Sequence, residues 1–265
     1  PTEWLTTKTP IDFMGIDVKL TDDRILLSMS SYIDKMVASL AELGLKTSKR
    51  KVSVPISQPI NEDSPKLAGK MIHLFLSGNG CVAWLMNTIR LDVAYAFSRI
   101  GQHSAAPNVS ALQTLAHTIS YLEQHKHLCL SQRLYPEDLP VEHATESNRP
   151  CAPQLGFRFY TDSDHAGNAE KQNKRRSQNG TVTTLYDVAV DWTSKVSSIA
   201  FATPLVGESH AEMSSGGNEI YAAGNATYGI LDHSYLYEEC GMKFPIPFVL
   251  LMDNATAEAF CNGTV

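Results

Sequence analysis

The sequence has no Cys-x-x-Cys pair, no apolar run long enough to cross a bilayer and no surplus of positive charge. Its five cysteines, Cys81, Cys129, Cys151, Cys240 and Cys261, are odd in number and scattered. That excludes a disulfide framework and a cysteine-ligated zinc site, and it points to reduced thiols in an intracellular protein. The longest strongly apolar stretch, "FPIPFVLLM", is short and broken by Pro245 and Pro247, so no membrane partner is expected. No secretory signal opens the chain, which begins with Pro1 rather than Met and reads as a piece of something longer. The formal net charge is −6 and is unevenly spread. Residues 151–265 hold seven Lys and Arg against thirteen Asp and Glu, and residues 1–150 hold fifteen of each. An acidic half argues against nucleic-acid binding by a broad basic surface, and it fits a site whose carboxylates need cations.

What is present divides into two parts. Residues 11–29 alternate apolar and polar residues around "TDD" and read as a hairpin. "SSYIDKMVASLAELGL" reads as a helix capped by Ser30 or Ser31 and stopped at Gly44. A basic and then proline-bearing loop spans 46–69, and two or three helices are expected between 71 and 130. Residues 131–155 are rich in Pro and polar groups and read as a linker. Beyond it come a strand at 156–163, two β-rich runs, a helix from about 211 to 240, a short buried strand "FVLLMD" and the start of another helix. The order β-β-β-α-β-α predicts a mixed α/β layer. Trp84 and Trp192 read as core residues.

Three carboxylates stand at telling places in that second part. Asp162 ends the first strand, Glu219 lies inside the long helix and Asp253 closes the buried strand. Asp164 is one residue removed from Asp162 and so shares its side of a strand. Carboxylates gathered at one sheet edge repel each other unless a cation bridges them. Mg²⁺ suits such a site because it takes oxygen ligands and keeps waters. Two such ions about 4 Å apart stabilise both the attacking and leaving oxygens of a phosphodiester. A single Asp at a strand end faces solvent more often than it does chemistry, so the reading rests on the group, and spacing alone does not show that its members converge.

Six blocks in this part occur in one order: "YTDSDHAG", "RRSQNG", "WTSK", "SSGGNEIYAA", the helix end "EECG" and "MDN". Together they resemble the ribonuclease H domain of copia-type long-terminal-repeat retrotransposon polyproteins. "FMGIDVKL", "YIDKMVASLAELGL" and "WLMNTIRLDVAYAFSRIGQ" are similar to that family's reverse transcriptase primer grip, thumb helix and following block, with Leu91 where proline is usual. The resemblance covers nearly the whole chain. It implies a ribonuclease-H-like mixed sheet with flanking helices at 156–265, preceded by a hairpin-plus-helical reverse transcriptase region at 1–130 and the linker at 131–155. It implies Asp162, Glu219 and Asp253 as catalytic metal ligands, with Asp164 as a further candidate. Two Mg²⁺ ions, with Mn²⁺ as a substitute, would hydrolyse the RNA strand of an RNA–DNA hybrid.

Partners implied are that hybrid or a primer–template duplex, together with the palm and fingers of the same polyprotein, in cytoplasm, nucleus or a virus-like particle. No Y-x-D-D occurs, so the chain alone is not expected to polymerise. Lys174, Arg175, Arg176 and Lys195 are candidates for backbone contacts. "KTSKRK" at 46–51 is either a second such contact or a solvated loop. Departures from the family pattern leave a second reading open, a decayed remnant serving at most as a duplex-binding or structural module. The family's fourth aspartate, in an H-I-D block, lies beyond Val265; His165 replaces a Trp; and Gly216 and Gly217 stand where Thr and Glu are usual. His210 reads as a polar residue at a helix start. An integrase core is disfavoured because its Glu would follow the last Asp, whereas Glu219 precedes Asp253.

Overall fold

In this computed structural model, residues 6–133, 157–164, 177–185, 188–196, 215–239 and 250–262 are described. The chain forms two compact units, Pro1–Tyr135 and Pro136–Val265, and it is mixed α/β with two sheets.

The first unit begins with strands β1 (Ile11–Phe13), β2 (Ile16–Leu20) and β3 (Arg24–Ser28). Met14 and Gly15 carry φ of 55° and 84°, which makes the two-residue turn whose twist matches antiparallel strands. The Asp12 carboxylate accepts the Gly15 N–H at 2.9 Å. The expected hairpin is therefore three strands. A fourth, β4 (Leu130–Arg133), pairs antiparallel with β3, from Arg24 opposite Arg133 to Leu27 opposite Leu130. The linker expected at 131–155 thus starts too early, because "SQR" is polar and becomes a strand only through a partner about a hundred residues away. The rest of that linker lies outside the described residues.

Helix α1 (Ser30–Glu42) is not capped by its own serines. Met29 occupies the cap position, and the Asp17 carboxylate, reaching over from β2, accepts the Ser31 N–H at 3.1 Å. Gly44, at φ 101°, closes the helix with its N–H on Ala41 O. Helices α2 (Lys70–Thr88), α3 (Ala94–Gly101) and α4 (Val109–Gln124) complete the unit. Asn108 caps α4 by accepting the Ala111 N–H at 2.8 Å. Ile33, Leu40, Phe75, Leu85, Leu115 and Ile119 form the core. Within it Arg90 is only 2% exposed; it binds Asp92 at 2.9 and 2.7 Å, and the Tyr121 hydroxyl donates to the same carboxylate at 3.0 Å. Trp84, expected inside, stays at the surface on α2. Its apolar ring follows the helical pattern, but it falls beside the buried stripe of Leu74, Phe75, Gly78, Val82 and Leu85 rather than on it.

In the second unit β5 (Phe157–Ser163), β6 (Gln178–Leu185), β7 (Val188–Val196) and β8 (Leu250–Leu251) are ordered β7-β6-β5-β8. β8 runs parallel to β5 and the other neighbours are antiparallel. Between β7 and β8 the chain forms α5 (Ser215–Glu239), and α6 (Ala255–Cys261) follows β8. The β-β-β-α-β-α order is the one the sequence pattern predicts. Burial alternates along β5: Phe157, Phe159, Thr161 and Ser163 are buried and the residues between them are not. Phe157 and Phe159 pack with Ile230 of α5, joined by Tyr237 and Leu250. On α5 the buried residues Glu219, Ala222, Ala223, Ala226 and Ile230 form one helical stripe. Their small side chains let the helix lie close to the sheet, and the carboxylate sits at the stripe's beginning. Gly216 and Gly217 both fall within α5. Among the described residues no helix is long and apolar enough to cross a membrane.

Candidate metal centre

β8 runs beside β5 and stops opposite Tyr160, and α5 begins its buried stripe near the end of β5. Each delivers one carboxylate: Asp162 from the end of β5, Glu219 from α5 and Asp253 two residues past β8. One oxygen of each lies within 4.8 Å of the others. Opposite oxygens across a Mg²⁺ shell are about 4.2 Å apart, given bonds of about 2.1 Å, so the group could hold a metal ion. At such separations each pair of negative charges repels by about 1 kcal/mol in water and about 3 kcal/mol in a partly screened site.

The three differ in surroundings. Asp162 and Asp253 are exposed, whereas Glu219 is 2% exposed. Glu219 Oε1 accepts the Ser163 main-chain N–H at 2.9 Å. Glu219 Oε2 is buried and has no hydrogen-bond partner among the described residues. Burial raises the Glu219 pKa, the Ser163 N–H partly offsets this, and the charges of Asp162 and Asp253 raise it further. A buried carboxylate oxygen with no donor calls for a proton or a cation. Three convergent oxygen ligands, with no thiolate or imidazole beside them among the described residues, suit a hard divalent ion.

Asp164 does not join this group. Its carboxylate accepts the Gln178 N–H and its own N–H donates to Gln178 O at 3.1 Å. It fastens the end of β5 to the start of β6, a role the alternation rule does not reveal. Lys195 is exposed on β7 opposite Asn179. It stands with Asn179, Thr181, Thr193, Tyr221 and Asn225 around a cleft of about 340 Å³ between α5 and the sheet. Lys174, Arg175 and Arg176 lie outside the described residues, as do His165 and His210. Trp192 is half-buried on β7. In the first unit Lys46, Lys49, Arg50 and Lys51 are exposed on a loop whose main chain is held by Ser120 and Gln124 of α4. Ser163 and Asn179 were missed by sequence reasoning. The one available signal was that Ser163 sits between two aspartates in "TDSD".

The chain matches no protein-family model, no curated protein and no solved structure.

Proposed function

We propose that the chain is a fragment of a copia-type retrotransposon polyprotein, joining the primer-grip and thumb part of a reverse transcriptase to a ribonuclease-H-like domain that cuts the RNA strand of RNA–DNA hybrids. The observation that carries this reading is the convergence of buried Glu219 with the exposed carboxylates of Asp162 and Asp253, one oxygen of each within 4.8 Å of the others, together with a Glu219 Oε2 that has no hydrogen-bond partner among the described residues. Further support comes from the order β7-β6-β5-β8 with one parallel neighbour, and from the resemblance of the six sequence blocks.

In this reading Asp162, Glu219 and Asp253 hold two Mg²⁺ ions. Bound there, they supply activation of a water and stabilisation of the departing 3′-oxygen. The chain's own groups do the rest. Ser163 N–H fixes one oxygen of Glu219 and leaves the other for the cation. Burial keeps that oxygen from water. The exposed positions of Asp162 and Asp253 leave one side open to a phosphodiester. Lys195, and Lys174, Arg175 and Arg176, contact phosphates of the hybrid, and the palm and fingers of the same polyprotein complete the enzyme inside the cell. A second reading, a decayed remnant, is favoured by Gly216 and Gly217, since each glycine inside a helix costs about 1 kcal/mol relative to alanine and the pair precedes Glu219.

The test is cleavage of a labelled RNA strand in an RNA–DNA hybrid, with Mg²⁺ and with EDTA, for the unaltered chain and for Asp162→Asn and Glu219→Gln. Metal-dependent cutting that both substitutions abolish is the expected result. Cutting that persists in EDTA or in Glu219→Gln overturns the assignment, and no cutting by a folded, Mn²⁺-binding chain leaves the remnant.

A further inference from the structure

We infer that Asn179 is the positioning residue of the carboxylate group, acting on Glu219 through Ser163. This inference rests on the metal-site reading above and adds to it a residue that never touches the cation.

Asp164 N–H donates to Gln178 O on the β6 side. Successive residues of a strand point their N–H groups to opposite edges, so the preceding Ser163 N–H faces the β8 edge. There β8 pairs only with Phe159 and Tyr160 among the described residues. The ladder has stopped before Ser163, and its N–H would be an open edge donor. Glu219 Oε1 takes it at 2.9 Å. The orientation of one peptide plane at a strand end therefore sets where both oxygens of Glu219 stand.

That plane is held by the Ser163 side chain. Ser163 Oγ donates to Asn179 Oδ1 at 2.7 Å, across the β5–β6 ladder where the two residues are register partners. Ser163, Asn179 and Glu219 are all buried. Farther along the same face of β5 the buried residues are Phe157 and Phe159, packed on Ile230. A face serving only stability would continue apolar to its end. Instead it turns polar at Thr161 and Ser163, next to the carboxylates. Burying a hydroxyl and an amide is tolerated when they bond each other, and here the product of that bond is a fixed donor for the metal ligand. Groups that hold a metal ligand from behind typically affect metal affinity 10- to 100-fold.

The experiment is Mn²⁺ binding by calorimetry at pH 8, on the full chain, with thermal melts alongside. Asn179→Ala and Ser163→Ala are each expected to weaken Mn²⁺ by about 10-fold or more. The double substitution should be no worse than either single one, because both remove the same bond. Ser163→Thr, which keeps the hydroxyl, should restore affinity to near that of the unaltered chain, something a general packing defect would not show. In a Glu219→Ala background, Asn179→Ala should have no further effect. An Asn179→Ala chain that melts as a folded protein and binds Mn²⁺ unchanged overturns the inference, as does an equal loss with and without Glu219. If the unaltered chain binds no Mn²⁺, the metal-site reading itself fails and takes this inference with it. Mn²⁺ binding that Glu219→Ala abolishes and Asn179→Ala leaves untouched removes this inference alone.

Discussion

Replacing Glu219 with Gln should make the metal-free protein more stable at pH 8 and at the same time remove its response to cations. Glu219 is buried against two other carboxylates, and its pKa is raised, first by burial and then by Asp162 and Asp253. The sign follows from proton counts. The native state holds this proton more tightly than the unfolded chain, so stability is greatest below the unfolded glutamate pKa, about 4.3. It falls as pH rises through the raised native value. Gln keeps an oxygen for Ser163 N–H and carries no charge. Two repulsions at separations up to 4.8 Å, screened by the exposure of both partners, sum to about 2 kcal/mol. For a unit of this size that is a rise in Tm of roughly 5–10 °C.

The assay is a melt followed by circular dichroism in EDTA at pH 8 and pH 4, and again at pH 8 with saturating Mn²⁺. At pH 4 the two proteins should converge, since Glu219 is then neutral. With Mn²⁺ at about 100 times its Kd the unaltered protein should gain about 2.7 kcal/mol and overtake the variant, which should gain nothing. A Glu219→Gln protein that melts below the unaltered one in EDTA at pH 8 would refute the electrostatic argument. It would mean that the carboxylate is stabilised in place rather than strained.

Two further outcomes concern the first unit. Asp92→Ala strips the buried guanidinium of Arg90 of its bidentate partner and frees the Tyr121 hydroxyl; a loss of about 3–5 kcal/mol is expected in urea titration, and Tyr121→Phe, which leaves the ion pair, should cost only about 1 kcal/mol. Gly44→Ala places a side chain at φ 101° with open space around it, so the cost is purely one of backbone conformation, about 1–2 kcal/mol, and Gly44→Asn should cost less.

Much of this architecture was legible in the sequence because the signals are local. The helices carry apolar residues at helical spacing, Gly44 marks the end of α1, alternation marks β2 and β5, and a short apolar run marks β3. Asp162 and Glu219 were placed on the right elements, Asp253 lies two residues past a strand expected to end on it, and the structure brings the three together. What was not legible depends on partners distant in the chain. β4 is a polar stretch that becomes a strand by pairing with β3. The cap of α1 comes from Asp17 on a neighbouring strand, so the serines at its start drew attention for the wrong reason. Asp164 shares the strand periodicity of Asp162, yet at the very end of β5 its carboxylate is captured by the Gln178 N–H. Asn179 gains its meaning only from the register that sets it opposite Ser163.

The stripe on α5 has a mechanical side. Eleven residues separate Glu219 from Ile230, about 16 Å along the helix axis. The aromatic contact with Phe157 and Phe159 is the fulcrum, Glu219 is the tip of the long arm, and repulsion among the carboxylates pushes on that tip. A tilt of about 5° at the fulcrum swings a tip 16 Å away by about 1.4 Å, enough to part Glu219 from Ser163 N–H, whose bond tolerates only a few tenths of an ångström. Between tip and fulcrum lie the buried residues Ala222, Ala223 and Ala226, the first and last of them beside the cleft that Lys195 also lines. They act as the rail that keeps the arm from lifting. Enlarging Ala223, which is buried and does not line the cleft, would be read out not where the bulk is added but at the carboxylate end.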